Sequence, residues 1–215
     1  MSAQRIQPLP RLTPDAYLAF ERASEVKHEY HDGIITLQAG SSSPHARLTA
    51  RLTGMVYREL NGRRCTLYSS DMRVTLPNRR SYLYPDLIVA CGETAYEDSR
   101  QDTLTTPTLI IEVLSPSTER YDRGKKFKAY QTIPSFQEYL LVAQDVVLIE
   151  HYTRLAESLW SFEVITERGA LITLSSIGCA LSVAEIYESV VAEDLPEDPP
   201  PADEPPAANQ PAPTS

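Results

Sequence analysis

A buried strand followed closely by a helix is encoded in residues 108–130, which read TLIIEVLSPSTERYDRGKKFKAY. In residues 108–114 apolar side chains occupy both alternating positions, which is typical of a central strand covered on both faces. Glu112 is the exception, because alternation places it on the same face as Ile110 and Leu114. An unpaired buried carboxylate is costly. We therefore expect Glu112 to have a partner, which is a cation, a hydrogen-bond network or a metal ion.

A second acid lies in a similar setting in residues 85–90, which read PDLIVA. Alternation places Asp86 on the face of Ile88 and Ala90. The alternative for either acid taken alone is a salt-bridged structural residue or a strand-end residue, and this alternative is weaker for two acids on neighbouring strands. Two such acids on neighbouring strands have a further explanation, because a hard divalent ion prefers oxygen ligands and binds through one or two carboxylates.

A lysine is the third unusual residue of this region. Helical spacing over residues 122–132, with Asp122 as the predicted N-cap, puts Lys126 on the side of Ala129 and Tyr130, which should pack on the sheet. Lys126 either covers apolar surface with its stem or points its ammonium at the two acids. In the second case, two acids, one metal ion and one lysine together suit hydrolysis of a phosphodiester.

The remaining pattern predicts an α/β fold, with α+β as a close alternative, in which helices lie on both sides of a mixed sheet. The predicted helices span residues 13–24, 45–60, 122–132 and 182–190. The predicted strands are a hairpin over 28–39 around Asp32-Gly33, then 65–76, 83–90, 107–114, 138–143, 146–153 and 158–165.

The chain divides by composition into a domain and a tail. Residues 195–215 hold eight of the 17 prolines, and residues 191–215 carry six acids and no Lys or Arg. Without those acids the net charge of −9 becomes −3, so a site for a polyanion must be local. We predict one domain over residues 11–192 and a disordered, acidic, proline-rich tail over residues 193–215.

The sequence also bears on cellular location. Its apolar runs are far shorter than the roughly 20 residues that span a bilayer, and its first residues do not resemble a secretory signal. The three cysteines, Cys65, Cys91 and Cys179, form no CxxC pair. We therefore expect neither a disulfide framework nor a structural zinc site, and we predict a cytoplasmic protein that does not bind membranes.

Several motifs together resemble the Uma-two family of endonucleases, a branch of the PD-(D/E)XK restriction-endonuclease-like superfamily. The most specific is EVLSPST at 112–118 followed by DRGxK at 122–126. The others are Pro85-Asp86 with Tyr84 before it, QEYL at 137–140, EYHDG at 29–33, SPH at 43–45 and SSDMR at 69–73. The resemblance covers roughly residues 11–190.

This resemblance implies a restriction-endonuclease-like mixed sheet with a Mg²⁺ site, which Mn²⁺ also suits. Asp86 matches the metal-binding aspartate of the superfamily, Glu112 matches its second acid, and the carbonyl of Val113 would complete the metal shell. The superfamily usually places a lysine two residues after the second acid, where this chain has Leu114. Lys126 on the following helix matches this lysine instead.

Two further residues match recurring family positions near the site. Glu29 has either a metal-site or water-orienting role, or it is a solvated strand acid. His45 has a similar role or is an ordinary helix residue, and its position near a helix N-terminus favours a neutral imidazole. Asp71 and Arg73 are interpreted as a structural pair or as contacts at the edge of the substrate.

The sequence leaves three functions open. The first is a Mg²⁺-dependent endonuclease acting on DNA, which the resemblance further implies to be a homodimer. The second is a nucleic-acid-binding or partner-binding protein on the same scaffold with little or no turnover, and the third is a metal-dependent hydrolase of RNA or a nucleotide. Local phosphate contacts are expected from Arg123, Lys125 and Lys128, whereas Arg79-Arg80 is interpreted as solvated.

Overall fold

Two β-sheets, a β-hairpin and the helices packed on them form the structure, a computed structural model that describes residues 11–38 and 40–188. The helices are α1 (Pro14–Glu21), α2 (Ser43–Glu59), α3 (Glu119–Tyr121), α4 (Phe127–Tyr130) and α5 (Val183–Ile186), with a π turn (Asp122–Lys126) joining α3 to α4. The strands are β1 (His28–His31), β2 (Ile34–Leu37), β3 (Cys65–Ser69), β4 (Arg73–Thr75), β5 (Ser81–Leu83), β6 (Leu87–Cys91), β7 (Thr103–Leu104), β8 (Leu109–Leu114), β9 (Glu138–Ala143), β10 (Ile149–Ala156), β11 (Leu159–Ile165), β12 (Leu171–Leu174) and β13 (Cys179–Ser182).

The central sheet has six strands in the order β11-β10-β9-β8-β6-β3. Strand β8 pairs antiparallel with β6 and parallel with β9, and every residue of β8 and β9 is buried. One face packs on α2, α5 and the β12–β13 hairpin, and the other packs on the helical segment 119–130 and on the second sheet. This arrangement confirms the predicted α/β fold, a mixed sheet flanked by helices.

The second sheet has the strand order β2-β1-β5-β4-β7. Helix α1 packs on it through Tyr17 and Leu18, which form a small core with Tyr30 and Tyr82. The predicted β1–β2 hairpin is confirmed, and Asp32 at its turn has a positive φ of 47°.

Two of the predicted strands are wrong as single elements. Residues 65–76 divide into β3 of the central sheet and β4 of the second sheet. Of residues 83–90, only Leu83 lies in β5 of the second sheet, whereas residues 87–90 lie in β6 of the central sheet. Pro85 explains the second division, because proline donates no ladder hydrogen bond and restricts the residue before it. Strands β7, β12 and β13 were not predicted.

The predicted N-cap role of Asp122 is also wrong. The helix begins earlier, at Glu119, and Asp122 opens the π turn instead. The backbone carbonyl of Asp122 accepts hydrogen bonds from the N–H of Phe127 and from the hydroxyl of Tyr139, the latter at 3.2 Å. The side chain of Asp122 is buried, and its Oδ1 lies 3.4 Å from Lys126 Nζ.

The expectation that the cysteines form no disulfide is contradicted. Cys65 on β3 lies directly opposite Cys91 on β6 in the antiparallel register, and their sulfurs are bonded. Cys179 is a free, buried thiol. The 26-residue separation of Cys65 and Cys91 gave no sign of this pairing, because it depends on two strands separated along the chain by elements of the other sheet.

Two predictions concern parts of the chain that the structure describes incompletely or not at all. The predicted tail, residues 193–215, and the last residues of the predicted helix 182–190 lie outside the described residues. Among the helices of the described ranges, none has the length and apolar character needed to cross a membrane.

Candidate active site

Asp86 and Glu112 lie side by side at one end of the central sheet. The antiparallel register of β6 and β8 pairs Leu87 with Ile111, so one further step places Asp86 opposite Glu112. The backbone N–H of Asp86 donates to Glu112 Oε2 at 3.3 Å, and the backbone N–H of Val113 donates to Asp86 Oδ2 at 2.7 Å. Each carboxylate is therefore held by the backbone of the other strand.

Glu112 is buried on the face predicted from its strand, with Ile110 and Leu114 beside it in the core. Its Oε1 accepts hydrogen bonds from the ammonium of Lys126 at 2.9 Å and from the hydroxyl of Tyr130 at 3.2 Å. Burial raises the pKa of Glu112 well above its usual value, although the charge of Lys126 opposes this rise. Proximity to a second cation would therefore favour the ionised carboxylate.

The ammonium of Lys126 is enclosed by three carboxylates. Its Nζ lies 2.9 Å from Glu112 Oε1, 3.4 Å from Glu29 Oε1 and 3.4 Å from Asp122 Oδ1. Burial of the ammonium alone would lower the pKa of Lys126. The three carboxylates outweigh burial and raise this pKa well above its usual value. The three carboxylates thus favour the charged form of Lys126, and the explanation of a lysine that only covers apolar surface does not fit its contacts.

Glu29 reaches the site from the second sheet. It lies on β1, and its Oε1 accepts a hydrogen bond from the backbone N–H of Tyr84 at 3.1 Å. Because Tyr84 precedes Pro85 and Asp86, this bond ties the hairpin to the segment that carries the first acid. Glu29 also hydrogen-bonds the hydroxyl of Tyr121, so it is not a solvated strand acid.

His45 reaches the site from the first turn of α2. Its Nε2 lies 3.2 Å from Asp86 Oδ2, and the ring also hydrogen-bonds the backbone of Val113. Burial disfavours the imidazolium, yet Asp86 outweighs it, so the pKa of His45 is raised above its usual value. The carboxylate therefore overrides the helix terminus, which had been expected to favour the neutral ring.

The donor set suits a hard divalent ion. Two carboxylates and a backbone carbonyl, those of Asp86, Glu112 and Val113, are the oxygen ligands with which Mg²⁺ usually binds while keeping several waters. Within residues 11–38 and 40–188, no group of three or more Asp, Glu, His or Cys side chains is arranged to hold a metal ion.

The residues suggested for substrate contacts divide into two groups. Arg123 is engaged by Glu119 and Glu150, the latter at 2.7 Å, whereas Lys125 is exposed. Asp71 and Arg73 do not pair with each other, which corrects the earlier interpretation. Arg73 is buried against Asp102 at 2.7 Å, and Asp71 contacts Lys27 at the surface.

The arginine pair at residues 79 and 80, interpreted above as solvated, belongs to surface ion pairs. Arg79 contacts Asp15 and Glu97, and Arg80 contacts Asp32.

Sequence reasoning missed two contributors to the site. Asp122 was assigned to a helix cap, although its spacing of four residues from Lys126 is that of neighbours on a helix face. Tyr130 was placed on the correct side of its helix but was given no role. The hydroxyl of a buried tyrosine usually has a hydrogen-bond partner. The sequence signal for Tyr130 was therefore its position facing a strand that carries a buried acid.

Comparisons with known proteins show what this chain is similar to. The family model Uma2, described as "Putative restriction endonuclease", matches residues 14–184. Two proteins of Synechocystis sp. (strain PCC 6803), "Uncharacterized protein slr1290" and "Uncharacterized protein sll1609", are 36% and 37% identical to this chain over 183 and 164 residues. These alignments cover 85% and 76% of this chain and 95% and 93% of the relatives.

A solved structure shares the fold. It is "a putative nuclease belonging to DUF820" from Anabaena variabilis ATCC 29413, with a TM-score of 0.68 and 19% sequence identity. The match covers 82% of this chain and 98% of the other.

Proposed function

This chain belongs to the Uma2 family of restriction-endonuclease-like proteins, and on that basis we propose that it is a metal-dependent endonuclease that hydrolyses phosphodiester bonds of DNA. The observation that carries the proposal is the position of Asp86 beside Glu112, where each carboxylate accepts a backbone hydrogen bond from the segment that carries the other. The ammonium of Lys126 lies 2.9 Å from Glu112. A buried acid, Glu112, and a partly buried acid, Asp86, beside a buried lysine are costly to maintain unless the arrangement has a use.

The roles follow from the contacts. Asp86, Glu112 and the Val113 carbonyl would hold Mg²⁺ or Mn²⁺, which when bound supplies Lewis acidity and lowers the pKa of a water. Lys126 provides fixed positive charge where a phosphate gains negative charge. We assign it an electrostatic role and not that of a general base, because three carboxylates lie around its ammonium and favour the charged form.

Two supporting roles complete the proposal. His45 holds the carboxylate of Asp86 in orientation from the start of α2. Glu29 anchors Lys126 from the second sheet and fixes the backbone at Tyr84.

Cleavage of supercoiled plasmid tests this function. With Mg²⁺ or Mn²⁺ we expect conversion of the plasmid to nicked and linear forms, and with a chelator we expect none. A labelled RNA of matched sequence, assayed in parallel, separates a DNA nuclease from an RNA hydrolase. Metal-independent cleavage, or binding of DNA without cleavage at any metal concentration, would contradict the proposal and favour the binding protein.

We also propose that the protein forms a homodimer through the edge strand β11. Leu159, Phe162 and Val164 of this strand are 57%, 55% and 49% exposed, and β11 ends the six-stranded sheet. A two-fold antiparallel pairing centred on Phe162 would place Trp160 opposite Val164 and Ser161 opposite Glu163. Apolar side chains then face apolar ones, and no two like charges are opposed.

Substitution at the centre of that pairing tests the dimer. Phe162→Glu would place two carboxylates opposite each other at the two-fold axis, so light scattering should report a dimer for the wild type and a monomer for the variant. Leu171→Glu, at a residue 69% exposed on β12, is the matched control and should remain dimeric. A monomeric wild type, or a dimeric Phe162→Glu variant, would rule this interface out.

Residues 11–192 are proposed as the nuclease domain, and the cytoplasm, where a DNA substrate would be met, is the proposed location. The cysteines do not support that location, because Cys65 and Cys91 are paired. Mass measurement of the protein alkylated directly on cell lysis would show whether this pair is reduced there.

A further inference from the structure

Two buried tyrosines lie beneath the active site and donate to different acceptors. The hydroxyl of Tyr130 donates to the side-chain Oε1 of Glu112 at 3.2 Å. The hydroxyl of Tyr139 donates to the backbone carbonyl of Asp122, also at 3.2 Å. Both tyrosines are fully buried, and their rings meet edge to face with centroids 5.8 Å apart. They are therefore closely matched in environment and differ in what their hydroxyls hold.

The hydrogen bonds of Glu112 are divided unevenly between its two oxygens. Oε1 accepts from both Lys126 and Tyr130, whereas Oε2 accepts from the backbone N–H of Asp86 at a longer 3.3 Å. A carboxylate oxygen that already accepts two hydrogen bonds has less capacity left for a metal than an oxygen that accepts one. The oxygen beside Asp86 is consequently the one available to a shared cation.

We infer that Tyr130 is a positioning residue, which fixes the rotation of the Glu112 carboxylate so that Oε2 is presented beside Asp86 to a divalent cation. This inference rests on the proposed metal role of the two acids. Lys126 alone does not fix the rotation, because a flexible ammonium is able to follow either oxygen and is also attracted by Glu29 and Asp122. The phenol is rigid and held by packing, so its hydroxyl has a fixed position.

The test compares the Mn²⁺ affinities of Tyr130→Phe and Tyr139→Phe. Mn²⁺ binding is measured directly, by calorimetry or electron paramagnetic resonance, in the absence of DNA. Both variants lose one buried hydroxyl and keep the aromatic ring. Groups that orient metal ligands typically contribute 10–100-fold to metal affinity. We expect Mn²⁺ to bind about tenfold or more weakly to Tyr130→Phe, and within about twofold of the wild type to Tyr139→Phe.

The outcomes are separable from those of the plasmid assay. Equal Mn²⁺ affinity in the wild type and Tyr130→Phe would overturn the inference, even if both proteins cleave DNA. An equal loss in both variants would also overturn it, because general loosening of the core would then suffice. Weakened binding in Tyr130→Phe alone would support it, even if the wild type cleaves nothing. A wild type that binds no Mn²⁺ would overturn both the inference and the proposed function.

Discussion

Replacing either Asp86 or Glu112 with alanine is expected to reduce metal-dependent plasmid cleavage by about 10³-fold or more. One oxyanion-stabilising donor alone contributes about 10²–10³-fold in other enzymes, and each of these substitutions removes half of the carboxylate ligands of the proposed ion. Initial rates of nicking, measured over a range of Mg²⁺ concentrations, check the prediction. More metal should not restore either variant to the wild-type rate.

The matched control for this experiment is Glu150→Ala. Glu150 is another buried strand acid on the same sheet, and it is bonded to Arg123 at 2.7 Å and to Tyr152 at 3.0 Å. In the described part of the chain it forms no hydrogen bond or ion pair with Asp86, Glu112 or Lys126, so its loss should change nicking far less. Equal residual nicking by all the proteins would indicate a contaminating nuclease and contradict the assignment of the two acids.

Replacing Lys126 with methionine is expected to slow cleavage by about 10²-fold or more and to destabilise the protein by about 3–5 kcal/mol. Methionine fills a similar volume but removes the charge that Glu112, Asp122 and Glu29 share. The loss of stability arises because buried carboxylates are left without a counterion. Nicking rates and urea unfolding in the presence of a chelator check the two effects. A rate change under threefold would make Lys126 a packing residue.

The stability effect of Lys126→Met should depend on pH. Burial raises the pKa values of Glu112 and Asp122, and the charge of Lys126 opposes both rises, so its removal should raise them further. Groups with a raised pKa in the folded state contribute stability below their unfolded pKa and lose it as the pH rises through the folded pKa. The variant should therefore be closer to the wild type in free energy of unfolding at pH 5 than at pH 8. A gap of the same size at both pH values would contradict the shared-counterion account.

The sequence contained the reasons to select Asp86 and Glu112, because a carboxylate in a strand that is apolar on both faces needs a partner. It also contained the reason to select Lys126, from its position on the inward side of a helix. The sequence did not contain the register between β6 and β8, which brings the two acids side by side, because strand pairing is a property of the folded sheet.

The same cause explains the errors. The disulfide of Cys65 and Cys91 depends on the register between β3 and β6, and the divided strands depend on which sheet each half joins. The inward position of Asp122 depends on the π turn Asp122–Lys126, where the sequence predicts a regular helix. Local patterns predict the faces of elements, but contacts between distant elements depend on tertiary packing.

The most direct test of the account is a crystal structure of the protein grown with Mn²⁺ and measured with anomalous scattering. The account predicts one anomalous peak within about 2.5 Å of a carboxylate oxygen from both Asp86 and Glu112. Anomalous peaks found only at other residues, or a crystal soaked in Mn²⁺ in which Asp86 and Glu112 share no ion, would contradict the account.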